Sequence, residues 1–188
     1  MEKKIHFGTS GHRGIIGDTF THAHVHAIAD AIAIYLLEQK QHPLITIGYD
    51  PRLGNTIQEQ NSYAKILVDT LLSHGVSIYF YSDYVLTPII SWLIESQNID
   101  GGIILTASHN PPQYNGIKFN PSNGAPAPTS ITSKIEKDAN SFYNKPLSPL
   151  GKKSGNLHEI NKTTDFCLDI LQKLSNIFPE LSFIFILS

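Results

Sequence analysis

The stretch GGIILTASHNPPQYNGIKFN, residues 101–120, joins an apolar run to a Ser-His-Asn-Pro corner, an Asn-Gly turn and a lysine. Gly102 to Ala107 reads as a buried strand, a short apolar run closed by turn-forming residues. Ile117 to Asn120 predicts another, shorter strand. Ser108 stands where the first of these strands stops. A serine hydroxyl is a weak nucleophile unless a base or an electrostatic setting activates it. Asn110-Pro111-Pro112 and Asn115-Gly116 make the following loop tight and rich in backbone N–H groups. With Lys118 nearby, such groups can hold an anion. An isolated corner of this kind is ordinarily just a turn, so its meaning depends on the rest of the chain.

On both sides of this stretch, apolar runs alternate with helical patterns. Val25, Ile28, Ala29, Ile32, Ala33, Leu36 and Leu37 recur at helical spacing. Leu44 to Tyr49 is a compact strand that ends at Asp50-Pro51. Thr56-Ile57-Gln58-Glu59 has the form of a capping box. Ala64, Leu67, Val68, Leu71 and Leu72 then make one helical stripe, which His74-Gly75 stops. Val76 to Tyr81 is rich in β-branched and aromatic residues and predicts a strand. Thr87-Pro88 predicts an N-cap and a first-turn proline for a helix over Ile89 to Ser96. Ile5-His6-Phe7 predicts a short strand running into Gly8, Asn123 to Pro128 a loop, and Ile131 to Phe142 a last helix. Strands and helices alternating in this way predict an α/β fold, a mostly parallel (mixed) sheet with helices on both faces. Such sheets bind ligands at the carboxyl ends of their strands. Asp50-Pro51-Arg52 and the Ser108 corner both fall there.

The 188 residues suit one domain of ordinary size or one domain plus a piece of another. Residues 1–144 are predicted to form the first domain. Residues 145–162, with Pro146, Pro149, Gly151 and Gly155, read as a linker. Residues 163–188 read as a helix, Thr163 to Leu174, and a strand, Ser182 to Leu187, that begins an incomplete further unit. A net charge of −2 leaves no field of one sign for a polyanion, so nucleic acid is not an expected partner. No window is long and apolar enough to span a bilayer, and no membrane partner is expected. Cys167 is the only cysteine and cannot form an internal disulfide. With no signal-peptide pattern at Met1 to Ile5, the expectation is a cytoplasmic protein.

Phe7-Gly8-Thr9-Ser10-Gly11-His12-Arg13-Gly14 reads as a flexible glycine-rich loop full of hydrogen-bond donors. Its arginine suits a bidentate grip on phosphate. The spacing is neither a Walker A loop nor a dinucleotide fingerprint. Arg52 could add a cation at the same sheet edge, or be a solvated turn arginine. His22, His24 and His26 lack neighbouring cysteines or carboxylates and read as a polar helix start. His12 and His109, each inside a glycine- or proline-bounded loop, are the better functional candidates. A serine hydrolase built on Ser108 and His109 is disfavoured. Adjacent side chains on extended backbone point opposite ways, and no Gly-x-Ser-x-Gly elbow is present.

Taken together, these segments resemble the α-D-phosphohexomutase family over roughly the first three-quarters of the chain. Phe7 to Gly14 is similar to the family's N-terminal loop. Thr106-Ala107-Ser108-His109-Asn110-Pro111, followed by Tyr114-Asn115-Gly116 and Lys118, is similar to its phosphoserine loop. The bacterial glucose-preferring phosphoglucomutases are the nearest branch, on Ser10-Gly11-His12-Arg13 and Asn120 to Pro126; phosphomannomutase is the alternative. The resemblance implies that the chain is the first domain of a four-domain phosphohexomutase interconverting glucose 1-phosphate and glucose 6-phosphate. Ser108 would carry the phosphoryl group and glucose 1,6-bisphosphate would be the intermediate. His109 and Lys118 would assist proton transfer, and Arg13 would grip the phosphoserine. Thr9, Ser10, Asn110 and Arg52 would shape the phosphate pocket. Mg²⁺ would touch the phosphoryl group on Ser108. No alternating-aspartate metal loop occurs in the sequence, so the implied expectation is an N-terminal fragment inactive alone. A non-catalytic sugar-phosphate-binding fragment is the competing reading.

Overall fold

β-branched and aromatic runs bury themselves on both sides when they pair in parallel, and those runs form the middle of the sheet. The computed structural model describes residues 4–8, 11–143, 145 and 155–160. Its strands are β1 (Gly11–Ile15), β2 (Leu44–Tyr49), β3 (Ser77–Tyr81), β4 (Gly101–Leu105), β5 (Tyr114–Pro121) and β6 (Leu157–Ile160). Its helices are α1 (His22–Gln39), α2 (Tyr63–Ser73), α3 (Thr87–Ser96) and α4 (Thr129–Tyr143). The six strands lie side by side in the order β1-β5-β4-β2-β3-β6. β4, β2, β3 and β6 are parallel, and β5 runs antiparallel to both β4 and β1. This is the mixed α/β sheet that the alternating pattern predicts. The chain leaves β2 toward β3 on one side and returns to β4 on the other. The carboxyl ends of β2 and β4 therefore flank a topological switch point.

The two faces differ in thickness. α1 packs between α2 and α4 on one face. This explains why α1 buries residues nearly all round, from Val25 through Leu36. Ile45, Ile47, Ile103, Leu105, Ile117 and Phe119 point into that core. The other face carries α3 over β2 and β4, with Ile89, Ile90, Leu93 and Ile94 packed on Tyr81, Val85 and Ile104. On the thick side Asp30 of α1 accepts hydrogen bonds from His26, one turn earlier, at 3.0 Å and from His74, the C-cap of α2, at 2.7 Å. His26 and His74 thus tie α1 to the end of α2.

Local corrections to the sequence reading have identifiable causes. Ile5 to Phe7 forms a single bridge, Phe7 to His12, instead of a strand. The strand is Gly11–Ile15, in what reads as a flexible loop. Its residues have little strand propensity; pairing along β5 decides the matter. Gly11 is needed there, because a Cβ would fall 2.0 Å from the Ile117 carbonyl oxygen. Thr56 does bond Glu59, at 3.0 Å, but within a turn. The helix starts later, where Ser62 Oγ accepts from the Lys65 amide at 2.9 Å. α3 begins at Thr87 with Leu86 as its N-cap, so the proline sits in the first turn without a side-chain cap. Residues 157–160, inside the stretch read as a linker, pair with β3. The expected helix Thr163 to Leu174 and strand Ser182 to Leu187 lie outside the described residues.

Candidate functional site

Ser108, three residues past the end of β4, has a φ of +59°, the left-handed region that a side-chain-bearing residue enters at a cost. Ser108 and His109 are exposed while Ala107 is fully buried, so the chain breaks the surface at the serine. The backbone is held from below. The Ser108 amide donates to Thr106 Oγ1 at 2.8 Å, and that hydroxyl donates to Asp50 Oδ2 at 2.6 Å. Asp50 follows β2, so the neighbouring strand supplies the anchor.

Arg52 completes the support. Its Nε donates to Asp50 Oδ2 at 2.9 Å. Nη1 donates to the carbonyls of Pro111 at 3.1 Å and Tyr114 at 2.7 Å. Nη2 donates to the carbonyls of Ser108 at 2.8 Å and Asn110 at 3.0 Å. All five guanidinium donors are thereby taken by protein. The sequence reading places Arg52 toward phosphate; in the structure no donor of it is left for one. Asn55, fully buried, continues the network by donating to the carbonyls of Asp50 and Leu105, both at 3.1 Å. Its Oδ1 accepts from buried Asn115 at 2.7 Å. Asn55 carries no motif and is missed by sequence reasoning. Its only signal is a lone asparagine just after the Asp-Pro-Arg corner.

The cations stand on the thin face. Ile117 and Phe119 of β5 turn toward the thick core, so the pleat sends Gly116 and Lys118 the other way. Arg13 lies opposite Gly116, and its side chain crosses that glycine: a Cβ at Gly116 would meet Arg13 Cγ at 3.0 Å. Arg13 Nη1 then reaches Asn110 Oδ1 at 3.4 Å. Asn110 thus links Arg13, through its side chain, to Arg52, through its carbonyl. Burial, and then the charge of Arg13, hold Lys118 below the ordinary lysine range, while Asp50 pulls it partly back. Two neighbouring like charges that repel one another favour an incoming anion.

The remaining candidates separate clearly. Thr9 and Ser10 lie outside the described residues. His12 is buried on the thick side, stacked on His24 with ring centres 5.4 Å apart. Its Nε2–H donates to the Thr19 carbonyl at 3.0 Å, and burial lowers its pKa. It is a core residue and not part of the loop site. His24 Nδ1 accepts from the Thr21 amide at 3.2 Å, which bears out the helix-start reading of the histidine run. Asn110 thus meets Arg13, and Arg13 bears on Lys118, while Ser108 and His109 are exposed in the same loop as Asn110.

Residues 4–145 match the description "Phosphoglucomutase/phosphomannomutase, alpha/beta/alpha domain I". A phosphoglucomutase of Staphylococcus aureus (strain MRSA252) is 35% identical over 143 residues, covering 73% of this chain and 24% of that protein. A solved structure from Thermus thermophilus, described as a candidate phosphomannomutase, superimposes with a TM-score of 0.68 at 32% identity. It covers 86% of this chain and 34% of its own. A Burkholderia thailandensis protein of the phosphoglucomutase/phosphomannomutase family shares the fold, with a TM-score of 0.71 at 22% identity over 92% of this chain and 36% of that one. The chain spans about a quarter of the length of the curated relatives it matches.

Proposed function

This chain belongs to the phosphoglucomutase/phosphomannomutase family as its domain I, and from that premise we propose that Ser108 is the phosphoryl carrier of a glucose-phosphate mutase. One observation carries this reading. A strained, exposed serine stands in the turn just past a central strand, in the loop whose Asn110 meets Arg13, and Arg13 in turn bears on Lys118.

Phosphoryl transfer asks mainly for positioning and charge neutralisation, which this corner supplies. In the forward direction the Ser108 Oγ–P bond breaks as a P–O bond forms to the 6-hydroxyl of glucose 1-phosphate. The hydroxyl proton leaves to a base, and Ser108 Oγ gains a proton. The product is glucose 1,6-bisphosphate. Its other phosphoryl group then passes back to Ser108, which releases glucose 6-phosphate and restores the carrier. Lys118, held below its usual range, is suited to receive and return the proton. Arg13 neutralises the phosphoryl oxygens. His109, at the exposed corner, is placed to assist at the sugar hydroxyl.

Mg²⁺, which the family resemblance implies, finds no complete site among the described residues. Among the described residues no group of three or more His, Cys, Asp or Glu could hold a metal. Asp50, the carboxylate at the base of the loop, is engaged by Arg52 and Thr106. The setting proposed is the cytoplasm, with hexose phosphates as partners.

The test is intact-mass measurement of the chain after incubation with glucose 1,6-bisphosphate. One added phosphoryl group on Ser108, absent from Ser108→Ala, is the expected result. Uptake by the alanine variant would place the acceptor elsewhere. Binding of the sugar phosphate without transfer would make this chain a sugar-phosphate-binding fragment instead. Repeating the incubation with mannose 1,6-bisphosphate separates the glucose reading from a phosphomannomutase.

A further inference from the structure

Arg52 is the most fully engaged side chain at the corner, yet none of its donors faces the open side. Its two Nη atoms collect four carbonyls from one loop, those of Ser108, Asn110, Pro111 and Tyr114. Carbonyl oxygens carry partial negative charge. Gathered on the guanidinium, they point away from any anion carried by the loop. Nε meanwhile grips Asp50, which through Thr106 holds the Ser108 amide. One planar fork therefore fixes both ends of the geometry that keeps Ser108 at a φ of +59°. The Arg52 side chain is only about a tenth exposed, with its bonds to Asp50, Asn110 and Tyr114 partly buried and those to Ser108 and Pro111 at the surface.

We propose that Arg52 is a positioning residue for the phosphoryl step: it never touches the phosphoryl group, but it locks the Ser108 loop so that a phosphate there meets Arg13 and Lys118 and not loop carbonyls. This rests on the reading of Ser108 as the phosphoryl carrier. The demand is for a planar fork, not for charge alone. A lysine in its place is a point charge and cannot serve four carbonyls and a carboxylate at once.

The experiment installs phosphoserine genetically at position 108 of the 188-residue chain and follows its ³¹P resonance with pH. The native chain is compared with Arg52→Met and Arg52→Lys; circular dichroism and thermal melting report folding. Arg13, Lys118, His109 and Asp50 bear on the phosphate and are unaltered. Arg52→Met removes the positive charge that lies 2.8 Å from the Ser108 carbonyl while Arg52→Lys keeps it, so the lysine variant separates positioning from charge. An unconstrained phosphomonoester gives up its second proton near pH 6. In the native chain the transition is expected well below that. In Arg52→Met it returns to about 6, and in Arg52→Lys it falls between. If Arg52→Met fails to fold, Arg52→Lys decides alone. Identical titrations in native and folded variant chains overturn the proposal, as does a native transition already near 6. The installed phosphate makes this test independent of uptake. If the phosphoryl group taken from glucose 1,6-bisphosphate is found on a residue other than Ser108, the carrier reading fails while the titration still judges Arg52.

Discussion

The two faces of strand β5 illustrate a division of labour at single-residue spacing. Ile117 and Phe119 enter the thick core under α1 and α4, both fully buried. Gly116 and Lys118, their immediate neighbours, face the side that carries only α3 over β2 and β4. Stability is built on one side and charge is displayed on the other. Leaving one face of an α/β sheet thinly covered is what lets Arg13 stay exposed and Lys118 only partly buried while the two cations stand close together.

The sharpest way to break this contrast is to alter each side of β5 in turn. Phe119→Ala should cost about 3–5 kcal/mol of stability, read from chemical denaturation, as for other buried aromatics. Lys118→Met should leave the denaturation midpoint nearly unchanged yet suppress phosphoryl uptake by Ser108 in the mass assay. If Lys118→Met instead unfolds the chain, the faces are not separable in this way. Gly116→Ala lies on the dividing line. Its Cβ would meet the backbone oxygens of His12 and Thr106 at 2.7 Å, which should destabilise by about 1–3 kcal/mol. It should also displace Arg13 and weaken uptake.

Smaller effects sharpen the same comparison. Arg13 lowers the pKa of Lys118, so Arg13→Met should raise it and move the alkaline dependence of uptake to higher pH. An unmoved profile would disconnect Lys118 from the proton transfer. On the thick side, burial works to raise the Asp30 carboxyl, but the hydrogen bonds from His26 and His74 outweigh it and hold it below the usual range. Its contribution is therefore present above about pH 4 and is lost as pH falls through the depressed folded value. The Tm difference between the native chain and Asp30→Asn should shrink by a few degrees from pH 6 to pH 3. Phosphoryl uptake, on the far face, should not follow it.

The core elements were readable because burial writes a period into the chain. The stripe of α1 and the runs of β2 and β4 are as the pattern predicts. β1 was not readable, since Gly-His-Arg-Gly has no period and acquires its form from the neighbouring strand. The Thr56 box shows a local motif satisfied inside a turn, with the helix starting later at Ser62. At the site, Ser108, Arg13 and Lys118 could be picked out by residue type and position. The surroundings of Arg52 could not. Backbone carbonyls are the same in every residue, so a side chain that binds four of them leaves no trace in the spelling of its partners. Asn55 is invisible for the same reason.

β6 has a practical consequence for anyone isolating this unit. The family match ends at residue 145, but the strand that shields the outer side of β3 is Leu157–Ile160. A recombinant piece cut at 145 would leave a row of unsatisfied amides and carbonyls along Ser77–Tyr81, inviting edge-to-edge stacking between copies. Expression boundaries placed beyond residue 160 keep that flank sealed.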